Sequence, residues 1–181
     1  MKVARIISVI LIICVVITGC SRADDFRGAN WGDSQAKVIK SEDIEYAYAD
    51  DDLVMYVTEM DGKAVEIYYS FVDNKLTEAE VKFIKGDRRF GEIVKSYDGV
   101  AEQLTEIYGE PKDPDKFVWL VGEEKRKDEK TWRSIYHGRL AFILEWETKT
   151  TYVKLELSRP RSTKKMTYTI FAQDIKLRQD E

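Results

Sequence analysis

The apolar residues of this chain recur with two different periods in different segments. Between Phe90 and Tyr108 the apolar residues recur at spacings of three and four, which is typical of an amphipathic helix; on both sides of this segment they alternate with period two, as in half-buried strands. The helical stripe consists of Phe90, Ile93, Val94, Tyr97, Ala101, Leu104, Ile107 and Tyr108. Gly109 can supply a left-handed C-terminal cap and Pro111 cannot continue a helix, so the helix is predicted to end there.

The alternating segments predict antiparallel strands. They lie at 53–60, 63–72 and 75–84 before the long helix, and at 116–121, 130–136, 139–147, 150–158 and 166–173 after it. Asp61-Gly62 and Asp73-Asn74 tolerate the positive φ of tight hairpin turns. His137-Gly138 and Lys149-Thr150 are also predicted as turns.

A shorter helix is predicted before the first strands. Asp33 or Ser34 can cap its first turn, and Val38 and Ile39 give it a narrow apolar stripe up to about Glu42. The order of elements therefore predicts an α+β fold made of two helix-plus-antiparallel-meander halves, with the helices packed on one face of an antiparallel sheet.

The N-terminus has the pattern of an export signal. Lys2 and Arg5 precede residues 6–17, which are apolar except for Ser8. Such a run fits a signal-peptide core and is shorter than the roughly 20 residues that span a bilayer. The alternative, a buried helix of the folded domain, would require a helix that is apolar on every side at the chain terminus.

The residues that follow resemble the lipobox of bacterial lipoproteins, Ile17-Thr18-Gly19-Cys20. The resemblance implies cleavage before Cys20 and lipidation of its thiol. The domains expected are a signal peptide at 1–19, the lipidated Cys and a short tether at 20–30, and a single α+β domain at 31–181. Ser21 after the lipidated Cys implies the outer membrane, facing the periplasm, if the organism is Gram-negative.

The composition of the chain excludes some classes of function. With 29 Lys and Arg against 33 Asp and Glu, the net charge of −4 does not fit an electrostatic nucleic-acid binder. The two cysteines, Cys14 and Cys20, both fall in the signal region, and there is one histidine. We therefore expect no cofactor and no metal site.

Few residues stand out as candidate sites. The basic run 159–165 contains Arg159, Arg161, Lys164 and Lys165 and no acid. It is a candidate contact for lipid phosphates or an anionic partner, although a solvated loop between the last two strands also explains it. His137 is expected in a turn, Asp50–Asp52 in a solvated turn rather than a weak calcium site, and 122–130 in an exposed hairpin loop.

Several motifs together resemble uncharacterised bacterial envelope lipoproteins: Phe26-Arg27-Gly28, Trp31-Gly32-Asp33-Ser34, Val38 and Leu104–Pro111. Gly32, Ser34 and Val38 also resemble the helix start of SmpA/OmlA and β-lactamase-inhibitor-like modules. In SmpA/OmlA proteins a second helix follows the first, whereas strands follow here. The resemblance implies fold and envelope location and carries no activity.

We therefore expect a lipid-anchored, non-catalytic module that binds another envelope protein. A carrier of apolar ligands or lipids is the alternative, and an enzyme is the third possibility. An exposed aromatic face over a filled core would favour the first, an enclosed pocket the second, and a cleft with converging carboxylates the third. Tyr68, Tyr152 and either Phe142 or Ile143 are candidates for such an aromatic face.

Overall fold

The computed structural model describes residues 24–60, 62–83, 90–114, 116–120, 132–160 and 165–178. The helices are α1 (Gln35–Glu42), α2 (Phe90–Tyr108), α3 (Trp132–Tyr136) and α4 (Ile175–Arg178). The strands are β1 (Tyr48–Ala49), β2 (Leu53–Met60), β3 (Lys63–Val72), β4 (Lys75–Phe83), β5 (Lys116–Trp119), β6 (Leu140–Glu147), β7 (Thr151–Ser158) and β8 (Thr167–Asp174). The α+β class predicted from the sequence is confirmed.

All eight strands form one antiparallel sheet in the order β1-β2-β3-β4-β8-β7-β6-β5. Each half of this order is a set of sequential neighbours, β1 to β4 and β5 to β8. The halves join where β4 pairs with β8, with Val81 opposite Ile170 and Ala79 opposite Ala172. The strands that meet at the centre of the sheet are therefore the last strand of each meander.

One face of the sheet carries the hydrophobic core. Alternate residues of the strands are buried there, and the buried residues of α1 and α2 belong to the same cluster. The Tyr97 ring of α2 contacts the rings of Phe142 and Tyr168 at centroid distances of 5.6 and 6.3 Å. Phe83 stacks on Tyr168, and Phe117 stacks on Phe142. Aromatic side chains thus fill this face near the junction of the halves.

The predicted cap of α1 is wrong in its acceptor. Ser34 is the N-cap residue but makes no side-chain cap hydrogen bond, and the Asp33 carboxylate accepts from Asn30 and Lys37. The first amide of the helix, that of Gln35, instead donates to the Asn74 side chain at 3.1 Å. Asn74 lies in the β3–β4 turn, where it and Asp73 both have positive φ as predicted. A tertiary contact therefore replaces the local cap.

The strand predicted at 130–136 is also wrong, because residues 132–136 form α3. Ser134 and Ile135 are adjacent and both buried, which period-two alternation would not allow for a strand with one buried face. Gly138 has φ +67°, its amide donates to Ile135, and the Arg139 amide donates to Ser134. This pair of bonds is a Schellman motif, so Gly138 ends a helix instead of forming a hairpin turn.

The expected tether at 20–30 is partly packed. Phe26 and Ala29 are buried in the core cluster. The Asp25 carboxylate accepts hydrogen bonds from the Trp31 amide and the Thr150 hydroxyl, at 3.0 and 2.6 Å. Because these contacts hold the segment against the start of β7, residues 25–30 belong to the folded structure.

Candidate interaction surface

The basic run does not form an open cluster within the described residues. The Arg159 guanidinium donates to the Tyr136 carbonyl at 2.7 Å and lies 5.1 Å from the Tyr136 ring. It therefore fastens the end of α3 to the end of β7. Lys165 is exposed, whereas Arg161 and Lys164 lie outside the described residues, as do Cys20 and the loop at 122–130.

The other sequence candidates occupy turns. His137 is exposed between α3 and β6. In the turn before β2, Asp50 accepts hydrogen bonds from the amides of Asp52 and Leu53 and from the Tyr48 hydroxyl. The Tyr48 hydrogen bond, followed by those of the amides, lowers the pKa of Asp50. Among the described residues no group of three or more His, Cys, Asp or Glu could hold a metal ion.

The face of the sheet opposite the core carries aromatic rings that the chain itself covers. Lys82 lies 4.3 Å from the centroid of the Tyr68 ring, and Arg178 lies 3.7 Å from that of Tyr152. Lys82 is also paired with Glu80 at 2.8 Å. These cation–π contacts and the ion pair occupy the ring faces. Tyr68 and Tyr152 therefore lie on the face opposite the core, but the chain's own cations cover their rings. The prediction is wrong for Phe142, which belongs to the core cluster.

Four of the nine large apolar side chains that are exposed among the described residues belong to β1, to β2 and to the segment that leads into β1. Ile44, Tyr46, Tyr48 and Val57 are 39%, 47%, 49% and 52% exposed. Tyr48 pairs with Met55, two residues from Val57 on the same face of β2, so the Tyr48 and Val57 side chains are diagonal neighbours. We call these four residues the edge patch.

The chain that carries the edge patch is held in place by a buried ion pair. The Arg27 guanidinium makes two hydrogen bonds to the Glu42 carboxylate, both at 3.1 Å, and the Tyr69 hydroxyl donates to the same carboxylate. The Glu42 side chain is only 4% exposed. Asp43 then adopts a left-handed conformation, with φ 49°, that turns the chain from α1 towards Ile44. The exit of the chain from α1 is therefore fixed.

Burial and charge at this site shift several pKa values, among them those of Arg27 and Tyr56. Burial works to lower the pKa of Arg27, but the hydrogen bond and charge of Glu42 outweigh it and raise that pKa. Burial, followed by the charges of Glu42 and Tyr46, raises the pKa of Tyr56 to about 12. The Tyr56 hydroxyl is buried without a hydrogen-bond partner among the described residues. Both shifts favour a cationic Arg27 and a neutral Tyr56 near neutral pH.

The edge patch was not predicted from the sequence, although its residue pattern is visible there. Ile44, Tyr46 and Tyr48 alternate with polar or small residues just before the predicted strand 53–60. Alternation alone does not separate an exposed apolar row from a buried one, because both have period two. The exposure of this row depends on its position at the edge of the sheet.

Comparison with known proteins identified no relative of this chain. No protein-family model, curated protein or solved structure gives a significant match to the chain. None of the helices formed by the described residues is both long enough and apolar enough to span a membrane. The geometry and the sequence are therefore the basis for the function proposed below.

Proposed function

We propose that this protein is a lipid-anchored bacterial envelope lipoprotein that acts as a non-catalytic protein-interaction module. The sequence supports the anchor through the lipobox-like quartet ending in Cys20. The observation that carries the interaction role is the edge patch, four exposed large apolar side chains on β1, on β2 and on the segment that leads into β1. Exposed apolar clusters of this kind mark interaction sites more often than isolated apolar residues do.

The arrangement of the core favours an interaction module over a carrier. We infer that α1 and α2 cover the same face of the sheet, since Val38, Tyr97 and Leu104 all belong to the core cluster. The aromatic stacks between Phe83 and Tyr168 and between Phe117 and Phe142 occupy the space beneath this layer. The pattern of one helix before each four-strand meander supports a fold of two similar halves.

The anchor is tested by replacing the proposed lipid acceptor. Cys20→Ser removes the thiol that would take the diacylglycerol, so the variant should accumulate as an uncleaved precursor without lipid. Incorporation of labelled palmitate, measured in cells that produce the wild type or the variant, provides the readout. Absence of label from the wild type, or equal label in the variant, would contradict the lipoprotein assignment.

The interaction role is tested in the native envelope with the full-length chain. A photo-crosslinking amino acid at Val57 should capture a discrete envelope protein, because this side chain is 52% exposed at the edge patch. The same amino acid at Glu102, an exposed position of α2, is the matched control. Equal, diffuse crosslinking from both positions would indicate chance collisions and contradict the proposal.

A further inference from the structure

We propose that the edge patch binds an extended basic segment of another protein, which adds to β2 as a further strand beside Val57 and Glu59. This inference rests on the interaction role proposed above and names the site and the partner chemistry. Three independent features support it: open backbone groups, adjacent apolar side chains and the sign of the local charge.

The backbone of β2 is open beyond the short strand β1. The Leu53 and Met55 carbonyls accept hydrogen bonds from the amides of Asp50 and Ala47, at 2.9 and 2.8 Å. Alternate residues of a strand direct their backbone N–H and C=O groups to the same side. The backbone groups of Val57 and Glu59 therefore point to the same edge of β2 as those of Leu53 and Met55.

No described residue hydrogen-bonds to Val57 or Glu59 at that edge, because β1 pairs only with Val54 and Met55. Unpaired groups in a row are a template for an added strand. The other side of β2 is paired with β3 along its full length, from Leu53 to Met60. An added strand would therefore extend an ordered sheet.

The side chains beside the open groups suit an alternating partner. Val57 projects from the outer face of β2, and Tyr48 lies diagonally next to it. The Tyr48 hydroxyl donates to Asp50 at 2.7 Å, which restrains the ring. Every second side chain of an added strand would meet this apolar surface, because strand residues alternate between the two faces.

The local charge selects a basic partner. Between Lys40 and Lys63 the sequence has eight acidic residues and no basic one. Arg27 neutralises Glu42, whereas Asp43, Glu45 and Glu59 are exposed around the edge patch. Pairing with a second copy of this chain would bring like charges together, so charge complementarity favours a segment rich in Lys or Arg.

Peptide binding to the full-length chain in detergent micelles tests this proposal. The probe is a fluorescent eight-residue peptide in which Val and Lys alternate, and the matched peptide has Glu in place of Lys. We expect the Lys peptide to bind with an affinity that falls as salt is added, and the Glu peptide not to bind. A third peptide, N-methylated at every second residue, cannot donate along one edge and should bind at least about ten-fold more weakly.

Matched charge reversals locate the binding site. The triple variant Asp43→Lys, Glu45→Lys, Glu59→Lys should raise the dissociation constant of the Lys peptide at least about ten-fold. The control Glu92→Lys, Glu102→Lys, Glu106→Lys makes the same change in net charge on the exposed side of α2, and should change it less than about two-fold. All six residues are exposed, and circular dichroism of each variant verifies that it is folded.

Several results would overturn the proposal. One is an equal loss of affinity for the Lys peptide in both triple variants, and another is binding of the N-methylated peptide as tight as that of the unmethylated Lys peptide. The others are absence of binding by the Lys peptide and a dimer of the full-length chain that is paired through Val57. If envelope crosslinks form from other surface positions but not from Val57, the interaction role stands and the edge proposal fails. If no position yields a partner, the interaction role itself fails.

Discussion

At the scale of single residues, the pair formed by Arg27 and Glu42 connects three parts of the chain. Arg27 belongs to the N-terminal segment, Glu42 ends α1, and Tyr69 of β3 donates to the same carboxylate. Arg27 also lies 3.5 Å from the Met60 sulfur. Since the Glu42 side chain is 4% exposed, loss of its cation would leave a carboxylate in an apolar environment.

We therefore expect Arg27→Met to destabilise the protein by about 2–4 kcal/mol. This cost is smaller than that of breaking a fully buried ion pair, because 29% of the Arg27 side chain is exposed. The double variant Arg27→Met, Glu42→Gln should cost less than the sum of the single variants, since it leaves no unpaired charge. Denaturant unfolding at neutral pH measures all three values.

The surface pair between Lys37 and Asp33 provides the control. Its atoms are closer, at 2.7 Å, but the Lys37 side chain is 62% exposed. Lys37→Met should change the free energy of unfolding by less than about 0.5 kcal/mol, because solvent screens the pair. If Arg27→Met cost no more than Lys37→Met, burial would not be the source of its contribution.

Individual residues were also the hardest feature to predict from the sequence. Ser34 has the residue type of a helix cap, yet the Gln35 amide donates its hydrogen bond to Asn74, which is 39 positions from Gln35 in the chain. Arg27 and Glu42 are 15 positions apart and have no shared motif. Contacts that depend on how distant segments meet cannot be read from local pattern. The edge patch escaped prediction for the same reason.

At the scale of elements, strong periodicity predicted structure well. The strands at 53–60 and 63–72 coincide with β2 and β3, and the predicted helix from Phe90 to Tyr108 coincides with α2. The predicted stripe is wrong at its end, because Ile107 is 61% exposed and Val100 is buried instead. The Gly109 cap is confirmed, with φ +85° and its amide bonded to the Thr105 carbonyl. The failure at α3 came from a segment of five residues, too short to display a helical period.

The buried stripe of α2 leads to a prediction about packing. Leu104 is 6% exposed within the core cluster, whereas Glu102 and Glu106 are exposed. Leu104→Ala should cost about 2–5 kcal/mol by leaving a cavity, and Glu102→Ala or Glu106→Ala under about 0.5 kcal/mol. Urea unfolding compares them, and similar costs for Leu104 and the glutamates would mean that this face of α2 is not packed.

Two glycines in different elements should respond oppositely to the same substitution. A Cβ at Gly138 would lie 2.8 Å from the Arg159 carbonyl oxygen, and the residue has φ +67°. Gly138→Ala should therefore destabilise the end of α3 by at least about 1–2 kcal/mol.

Gly99 lies inside α2, where an added Cβ would meet nothing within 4 Å. Gly99→Ala should stabilise the protein by about 0.5–1 kcal/mol, because alanine loses less backbone entropy in a helix. Thermal melting of the two variants measures the contrast. A gain of stability at Gly138 would show that neither the strain nor the close approach exists.

At the scale of the whole molecule, the sequence predicted the class of the fold and the two runs of strands but not how they join. β4 ends at Phe83 and β8 begins at Thr167, so the pairing that unites the sheet connects residues far apart in the chain. Both strands alternate similarly, and alternation does not select a partner strand. The pairing of β4 with β8 depends on how the two halves pack together, which places Val81 opposite Ile170.

The topology also gives the molecule two distinct ends. Asp25 bonds to Thr150 beside the β6–β7 turn, so the described chain begins at that end. β6 and β7 each contain eight residues and extend about 27 Å, which places His137 and Arg159 at the other end. The four residue-to-residue steps from Cys20 to Asp24 span at most about 14 Å. If Cys20 carries the anchor, the Lys149 end lies nearer the membrane than Arg159 does.

Quenching by headgroup-labelled lipid tests this orientation in vesicles that hold the lipidated chain. A fluorophore on Lys149→Cys should be quenched more strongly than one on His137→Cys, because these positions flank opposite ends of β6. The same labelled proteins in vesicles without headgroup-labelled lipid are the controls and should show no quenching. Equal quenching at the two positions would mean that the sheet lies along the membrane, which would bring Arg159 near the lipid phosphates. Stronger quenching at Lys149 would instead place Arg159 and the end of α3 away from the membrane surface.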